Sequence, residues 1–245
     1  FRSEEAMHAQ KTFPESGYQY YDREHDGATF ALLRFEADLR QAVKSNEFTL
    51  AFQPQIHLAD WTLRGVEALA RWHSPSRGPV SPRQFIPVAE KTGLISALGR
   101  WVLNTACRTA AAWDNGSESP SCLIAVNVSG IQFADPGFPE QVGEALEHSG
   151  LQPSCLELEI TESMVLQEKL KAMRALQTLR DMGVRIAVDD FGTGHSCLAI
   201  LKELPVDTLK IDRKFLRQVP HCPQSTSLMK TILEIRQAMD LDIIV

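Results

Sequence analysis

From residue 122 onward, the sequence alternates between segments typical of strands and segments typical of helices. Short β-branched apolar runs are separated by longer stretches in which apolar residues recur every three or four positions. In order, the pattern predicts strand 122–129, helix 138–148, strand 156–162, helix 166–182, strand 185–190, a short helix near 197–204, strand 207–212, helix 225–239 and strand 241–245. This alternation predicts a parallel α/β sheet with right-handed crossovers. For a chain of 245 residues, it favours a TIM-like (β/α)8 barrel over an open doubly wound sheet.

The first half of the chain adds further elements to this pattern. Apolar residues at spacings of three and four predict a helix over residues 28–46. Alternating apolar residues predict strands over 48–53 and 66–72. A long helix is expected over 82–115.

Residue parity separates two faces in each predicted strand. One face is apolar, and its residues include Ile124, Val126, Leu158, Ile160, Ile186, Val188, Leu209 and Ile211. The other face has a polar residue near the end of each strand, and these are Glu67, Asn127, Glu159, Asp189 and Lys210. In a barrel, such residues converge at the mouth, where the chemistry of these folds takes place. Asn127, Glu159 and Asp189 lie 32 and 30 residues apart, about one βα unit each.

The converging side chains suggest a metal site. Glu67, Asn127, Glu159, Asp189 and Asp190 are all oxygen donors, which suit a hard divalent cation, Mg²⁺ or Mn²⁺. Adjacent Asp189 and Asp190 favour two ions, which together activate a water and hold a phosphodiester for hydrolysis. Lys210 would orient that water or neutralise charge on the phosphate. Taken singly, each acid is more simply a cap or an ion-pair partner, and Lys210 a side chain that extends to solvent.

Composition limits the classes of partner and compartment. The net charge of −6 gives no general attraction to a DNA or RNA duplex or to an anionic membrane. No apolar run is long enough to span a bilayer, so we expect no membrane contact by this segment, although a membrane anchor elsewhere in the parent stays open. Five cysteines without a C-x-x-C pair argue against disulfides and zinc, and they favour the cytoplasm.

These residues lie in motifs that resemble the EAL domain family of cyclic di-GMP phosphodiesterases. The motifs are Phe52-Gln53-Pro54, Glu67-Ala68-Leu69-x-Arg71-Trp72, Pro82 through Ile95, Asn127-Val128-Ser129, Leu158 through Ser163, Asp189 through Gly194, and Leu209 through Asp212. The resemblance implies a TIM-like barrel that hydrolyses cyclic di-GMP to linear pGpG. It also implies two Mg²⁺ or Mn²⁺ ions held by the five oxygen donors named above.

The same resemblance implies roles for individual residues. Lys210 would assist the catalytic water beside Glu67, and Glu162 would anchor the loop after Asp190. Gln53, Arg71 and Asp190 would contact the dinucleotide.

The sequence departs from the family pattern in two places. His195 and Cys197 stand where the family usually has an aromatic residue and a serine. The chain stops at Val245, ahead of a further acidic motif, the last strand and the last helix of the family. We therefore expect residues 47–245 to be a trimmed EAL domain that is weakly active or inactive on its own.

Residues 1–27 are similar to the end of a GGDEF domain, with residues 28–46 as the linker helix. This similarity implies a tandem GGDEF and EAL parent with sensor domains upstream, and a homodimer stays open. The intact ligand set favours an active phosphodiesterase. A catalytically inactive cyclic di-GMP receptor and an unrelated metal-dependent barrel hydrolase remain as alternatives.

Overall fold

The computed structural model describes residues 23–45, 47–113, 122–167, 169–191, 203–212, 217 and 219–245. Most of the predicted GGDEF remnant, up to residue 22, lies outside the described residues. So do His195, Cys197 and most of the short helix predicted near 197–204.

The described residues form an alternating series of helices and strands. The helices are α1 Arg23–Ala42, α2 Pro82–Lys91, α3 Leu94–Trp113, α4 Gly130–Phe133, α5 Phe138–Ser149, α6 Glu162–Gln167, α7 Lys169–Asp181 and α8 Pro223–Met239. The strands are β1 Phe48–Ile56, β2 Leu63–Ser74, β3 Gly78–Val80, β4 Leu123–Asn127, β5 Leu156–Thr161, β6 Arg185–Phe191, β7 Thr208–Ile211 and β8 Asp242–Ile244.

The eight strands form one curled sheet. Its order is β1-β2-β4-β5-β6-β7-β8, with β3 paired to β2, and the strands from β2 through β8 on this path are parallel. Along the sheet, β2 and β7 are four strand spacings apart, about 19 Å. Nevertheless, Arg64 of β2 donates to Thr208 of β7 at 2.9 Å, so the sheet curls around a lumen. The predicted TIM-like barrel that lacks some elements is confirmed.

The first strand runs against the others. β1 pairs with β2 in antiparallel register. Only residues 57–62 connect the two strands, whereas a parallel pair needs a crossover of about a dozen residues or more. The short connection therefore decides the direction of β1.

The apolar strand faces pack outward against the helices, as parity predicts. Ile124, Leu158 and Leu209 are buried in one core with Val142 of α5 and Leu176 of α7. The polar faces are thereby left to line the lumen.

Helix α1 begins earlier than the predicted linker helix 28–46 and ends earlier as well. Residues 23–27 are polar, so the apolar periodicity that predicted the helix does not reach them. The predicted domain boundary between residues 27 and 28 therefore lies within one helix. The C-terminal half of α1 packs on the barrel through Leu39 and Ala42, and Phe35 lies edge-on to Trp72 with ring centroids 5.3 Å apart.

The long helix predicted over 82–115 is two helices. Gly93 follows α2 with φ +73°, a left-handed conformation that glycine adopts without strain. The helix predicted over 166–182 likewise corresponds to α6 and α7. No helix in the described ranges has the length and apolar character needed to cross a membrane.

The face of α7 that packs on the sheet gives a stability prediction. Leu176 is 0% exposed, whereas Leu170, which the periodicity also places on the apolar stripe, is 78% exposed. We expect Leu176→Ala to lower the free energy of unfolding by about 2–5 kcal/mol, because it leaves a cavity in the core. Leu170→Ala is the matched control and should change it by less than about 0.5 kcal/mol. Urea unfolding of both variants measures the difference, and equal losses would contradict this packing.

Candidate active site

Strand register brings the predicted polar residues to one end of the barrel. Glu67 is the partner of Ala125, two residues before the end of β4, and Asn127 at that end is the partner of Glu159 in β5. Asp189 of β6 is in turn the partner of Thr161, the last residue of β5. The carboxyl ends of the parallel strands thus form the mouth at which these side chains lie.

The ammonium of Lys210 lies among three carboxylates at this mouth. Lys210 Nζ donates to Glu159 Oε2 at 2.5 Å, to Glu67 Oε2 at 3.1 Å and to Asp189 Oδ2 at 3.5 Å. Asn127 Nδ2 donates to Glu67 Oε1 at 2.8 Å. Five residues from five different strands are therefore linked into one network by these hydrogen bonds. We call these five residues the mouth cluster.

Burial and charge shift the titration of this cluster. Burial raises the pKa of Glu159 to about 8, Lys210 opposes that rise, and Glu67 and Asp189 add to it. Burial alone would lower the pKa of Lys210, but Glu159, Asp189 and Glu67 outweigh it and raise that pKa above its ordinary value. Even when Glu159 is protonated, one ammonium faces the carboxylates of Glu67 and Asp189, so the mouth cluster attracts further positive charge.

The atom types in the mouth cluster suit a divalent cation. Glu159 is buried, and its Oε1 has no hydrogen-bond partner, which leaves a carboxylate oxygen that a cation would satisfy. The other donors are oxygens, as Mg²⁺ and Mn²⁺ prefer. Within the described part of the chain, no group of three or more His, Cys, Asp and Glu side chains is already arranged to hold an ion. In the mouth cluster, Lys210 Nζ occupies the space between the carboxylates and neutralises only part of their charge.

A β-bulge changes the position of Asp190. The β6–β7 register passes from Val188 and Leu209 to Phe191 and Ile211, so Asp189 and Asp190 together oppose Lys210. Asp190 has φ +54°, and its backbone N–H donates to Asp189 Oδ1 at 2.8 Å. Simple alternation would direct the two aspartates to opposite faces of the sheet, and the bulge removes that alternation.

The remaining predicted residues lie around the mouth. Gln53 is the register partner of Glu67. Arg71 lies four residues after Glu67 on the same face of β2, and its guanidinium donates to the carbonyl oxygen of Ala70 at 3.0 Å. Glu162 is the first residue of α6, directly after β5. The loop that Glu162 is predicted to anchor lies outside the described residues. The roles of these three residues remain predictions.

A second polar cluster fills the lumen below the mouth, and sequence reasoning did not identify it. Arg64 donates to Glu157 through Nη1 at 3.0 Å and Nη2 at 2.8 Å, and to Thr208 Oγ1 at 2.9 Å. Thr208 Oγ1 also donates to Glu157 Oε2 at 2.7 Å. We call Arg64, Glu157 and Thr208 the lumenal cluster. Gln55 Oε1 accepts from Arg64 Nη1 at 2.7 Å at its edge.

Only part of the lumenal cluster has a signal in the sequence. Glu157 shares its strand face with Glu159, and a buried carboxylate requires a partner. Arg64 stands at an odd spacing from Glu67, so alternation assigns it to the outer face. The β1–β2 register passes from Gln55 and Gly65 to Ile56 and Leu63, and this bulge leaves the backbone of Arg64 without a register partner in β1.

The comparisons with known proteins all indicate the same family. Residues 36–245 match the family described as the EAL domain. An uncharacterized signaling protein of Caulobacter vibrioides is 41% identical over 239 residues, which cover 98% of this chain and 29% of that protein. The bifunctional diguanylate cyclase/cyclic di-GMP phosphodiesterase MucR of Pseudomonas aeruginosa is 38% identical over 239 residues, which cover 98% of this chain and 35% of that protein. The chain thus spans about a third of the length of these relatives.

Solved structures agree with the same family. A complex of the PaMucR phosphodiesterase with c-di-GMP has a TM-score of 0.81 and 41% identity, covering 86% of this chain and 85% of that chain. The FimX EAL domain from Pseudomonas aeruginosa bound to c-di-GMP has a TM-score of 0.77 and 26% identity, covering 85% of this chain and 83% of that chain.

Proposed function

This chain belongs to the EAL domain family, and from that premise we propose that the mouth of its barrel hydrolyses cyclic di-GMP to linear pGpG. The supporting observation is the meeting of three carboxylates from three separate strands around Lys210 Nζ. A purely structural ion pair needs one carboxylate for one ammonium, whereas this mouth has an excess of negative charge. Such an excess at the catalytic end of a barrel suits the binding of cations and, through them, of a phosphodiester.

The proposed reaction opens one of the two phosphodiester bonds of the ring. A water oxygen forms a bond to phosphorus, and the bond from phosphorus to the 3′ oxygen breaks. The water releases one proton as it attacks and the 3′ oxygen takes up one, which leaves a linear dinucleotide with a terminal 5′ phosphate.

EAL phosphodiesterases generally depend on divalent metal ions. We propose two Mg²⁺ or Mn²⁺ ions for this chain, held by Glu67, Asn127, Glu159, Asp189 and Asp190. When bound, such ions lower the pKa of the attacking water and stabilise charge on the phosphate.

The other side chains of the mouth would orient the reactants. Lys210 would donate to the attacking water or to a phosphate oxygen, since its raised pKa keeps it protonated. Gln53 and Arg71, on the same face of the β1–β2 pair as Glu67, would contact the dinucleotide. Glu162 would anchor the loop after Asp190 from the start of α6.

The alternative function is binding of cyclic di-GMP without turnover. All five predicted ligand residues and Lys210 are present in the sequence, and this favours the enzyme over a receptor. A receptor would bind the dinucleotide and release no linear product.

We also propose a setting for the domain. Upstream GGDEF and sensor domains would share its polypeptide, and a homodimer is compatible with that arrangement. We propose the cytoplasm as its location. Among the described residues, Cys107, Cys122 and Cys155 form no disulfide, as suits a reducing compartment. Burial raises the pKa of the Cys107 thiol to about 12, so this thiol is unreactive.

Removal of the metal tests the proposed reaction. The full-length protein is incubated with cyclic di-GMP and Mg²⁺ or Mn²⁺, or with a chelator, and the products are separated by chromatography. We expect pGpG as the first product with metal and none with the chelator, because the oxygen donors would lose the ions that activate the water. Calorimetric binding of cyclic di-GMP without product would support the receptor instead. Neither binding nor turnover would support another class of barrel hydrolase.

A further inference from the structure

The lumenal cluster joins strands that are not neighbours in the sheet. Arg64 belongs to β2, Glu157 to β5 and Thr208 to β7, and other strands lie between them in the sheet order. Their contacts of 2.7 to 3.0 Å therefore cross the lumen. Glu157 is 0% exposed, so these hydrogen bonds are shielded from solvent.

The mouth cluster joins the same three strands a second time. Lys210 of β7 contacts Glu67 of β2 and Glu159 of β5. Glu159 follows Glu157 by two residues, and Lys210 follows Thr208 by two residues. Two residues of strand span about 7 Å, so the lumenal cluster lies one layer of side chains below the mouth.

The two layers respond differently to a bound cation. In the mouth, Lys210 is the only cation among the contacts described, and a divalent ion would take over its neutralising role. In the lumenal cluster, the Arg64 fork binds both oxygens of Glu157, a geometry that fixes direction as well as distance. We expect the hydrogen bonds between Arg64 and Glu157 to stay the same when the mouth cluster binds a cation.

We propose that Arg64, Glu157 and Thr208 are positioning residues for the mouth. They hold β2, β5 and β7 at the spacing at which Glu67 and Glu159 would both serve as metal ligands and Lys210 would face the substrate. This inference rests on the proposed function of the mouth. According to this inference, the buried lumenal cluster contributes to the metal affinity and to the turnover without contacting the substrate.

The test separates positioning from stability. Replacing a buried ion pair by apolar residues of similar size is often neutral or stabilising, so the Arg64→Met/Glu157→Leu double variant should fold. We expect its Mn²⁺ dissociation constant to rise about tenfold, a typical effect of losing residues that orient metal ligands. The measurement is an electron paramagnetic resonance titration of Mn²⁺, which does not depend on turnover. The kcat should fall by a similar factor, while the KM for cyclic di-GMP should change less than about threefold.

Two further variants keep the test decisive. Thr208→Val removes only the hydroxyl on β7 and should weaken Mn²⁺ binding about threefold, even if the double variant does not fold. Val142→Ala, in the outer helix α5, should lower stability and leave Mn²⁺ binding unchanged. Wild-type Mn²⁺ affinity and kcat in a folded double variant or in Thr208→Val would overturn the positioning role. A wild-type protein that neither binds Mn²⁺ nor hydrolyses cyclic di-GMP would overturn the proposed function itself.

Discussion

Replacement of Lys210 by methionine is expected to reduce the turnover of cyclic di-GMP by about 10²–10⁴-fold, the range for loss of a group that positions or protonates the reactants. The same substitution should destabilise the metal-free protein. Lys210 is the cation that Glu67, Glu159 and Asp189 contact, and Glu159 is 1% exposed. Removing one partner of a buried ion pair costs about 3–5 kcal/mol, and protonation of Glu159 would relieve part of that cost.

Metal should stabilise the Lys210→Met variant more than it stabilises the wild type. In the wild type, a cation competes with an ammonium that already neutralises part of the carboxylate charge, whereas in the variant the carboxylates have no positive partner. Thermal unfolding with and without Mn²⁺ measures this difference, and initial rates measure turnover. Lys91→Met, at the exposed end of α2, is the control and should match the wild type in both. An equal metal-induced rise in Tm for Lys210→Met and wild type would contradict the idea that Lys210 and the metal compete for the same carboxylates.

Substitution of Gly65 by alanine is expected to cost about 3 kcal/mol of unfolding free energy, at the upper end for overpacking of a core. A Cβ at this position would lie 2.4 Å from the carbonyl oxygen of Leu123 and 2.7 Å from its Cβ. Backbone atoms of β4 cannot move aside as a flexible side chain can. The β2–β4 pair would have to separate two residues before Glu67, which should also lower the Mn²⁺ affinity of the mouth.

Gly143 offers a matched control for this substitution. It lies within α5, and the nearest atom to a Cβ built there is Met182 Cε at 4.0 Å. Gly143→Ala should therefore raise stability by about 0.5–1 kcal/mol, since alanine loses less backbone entropy in a helix. Urea unfolding of both variants gives the comparison. A Gly65→Ala protein as stable as Gly143→Ala would show that β2 and β4 do not approach so closely.

Much of the fold was predictable because its signals are local. The period of two in Ile186, Val188 and Asp189 identifies a strand and its two faces without knowledge of the neighbouring strands. The recurrence of strand and helix at about one βα unit then implies parallel strands, whose carboxyl ends meet at one edge. The convergence of Glu67, Glu159 and Lys210 follows from those two facts.

The features that were not predictable depend on pairing between distant segments. The bulges that place Arg64 in the lumen and oppose Asp190 to Lys210 each shift a register by one residue. A residue sequence that alternates through a bulge looks the same as one that alternates through a regular strand. The break at Gly93 was not predicted, because the apolar spacing continues through it. The direction of β1 was not predicted either, because it depends on the short connection over residues 57–62.

By itself, the sequence determined which side chains of the regular strand segments face the lumen and which chemistry they suit, because strand parity and residue type are local properties. Only the tertiary structure decided that the ammonium of Lys210 contacts three carboxylates at once. It also decided that Arg64 and Glu157 tie the same strands together beneath them. Those contacts join residues 21 to 143 positions apart in the chain, and the curl of the sheet brings together the ones that belong to non-neighbouring strands.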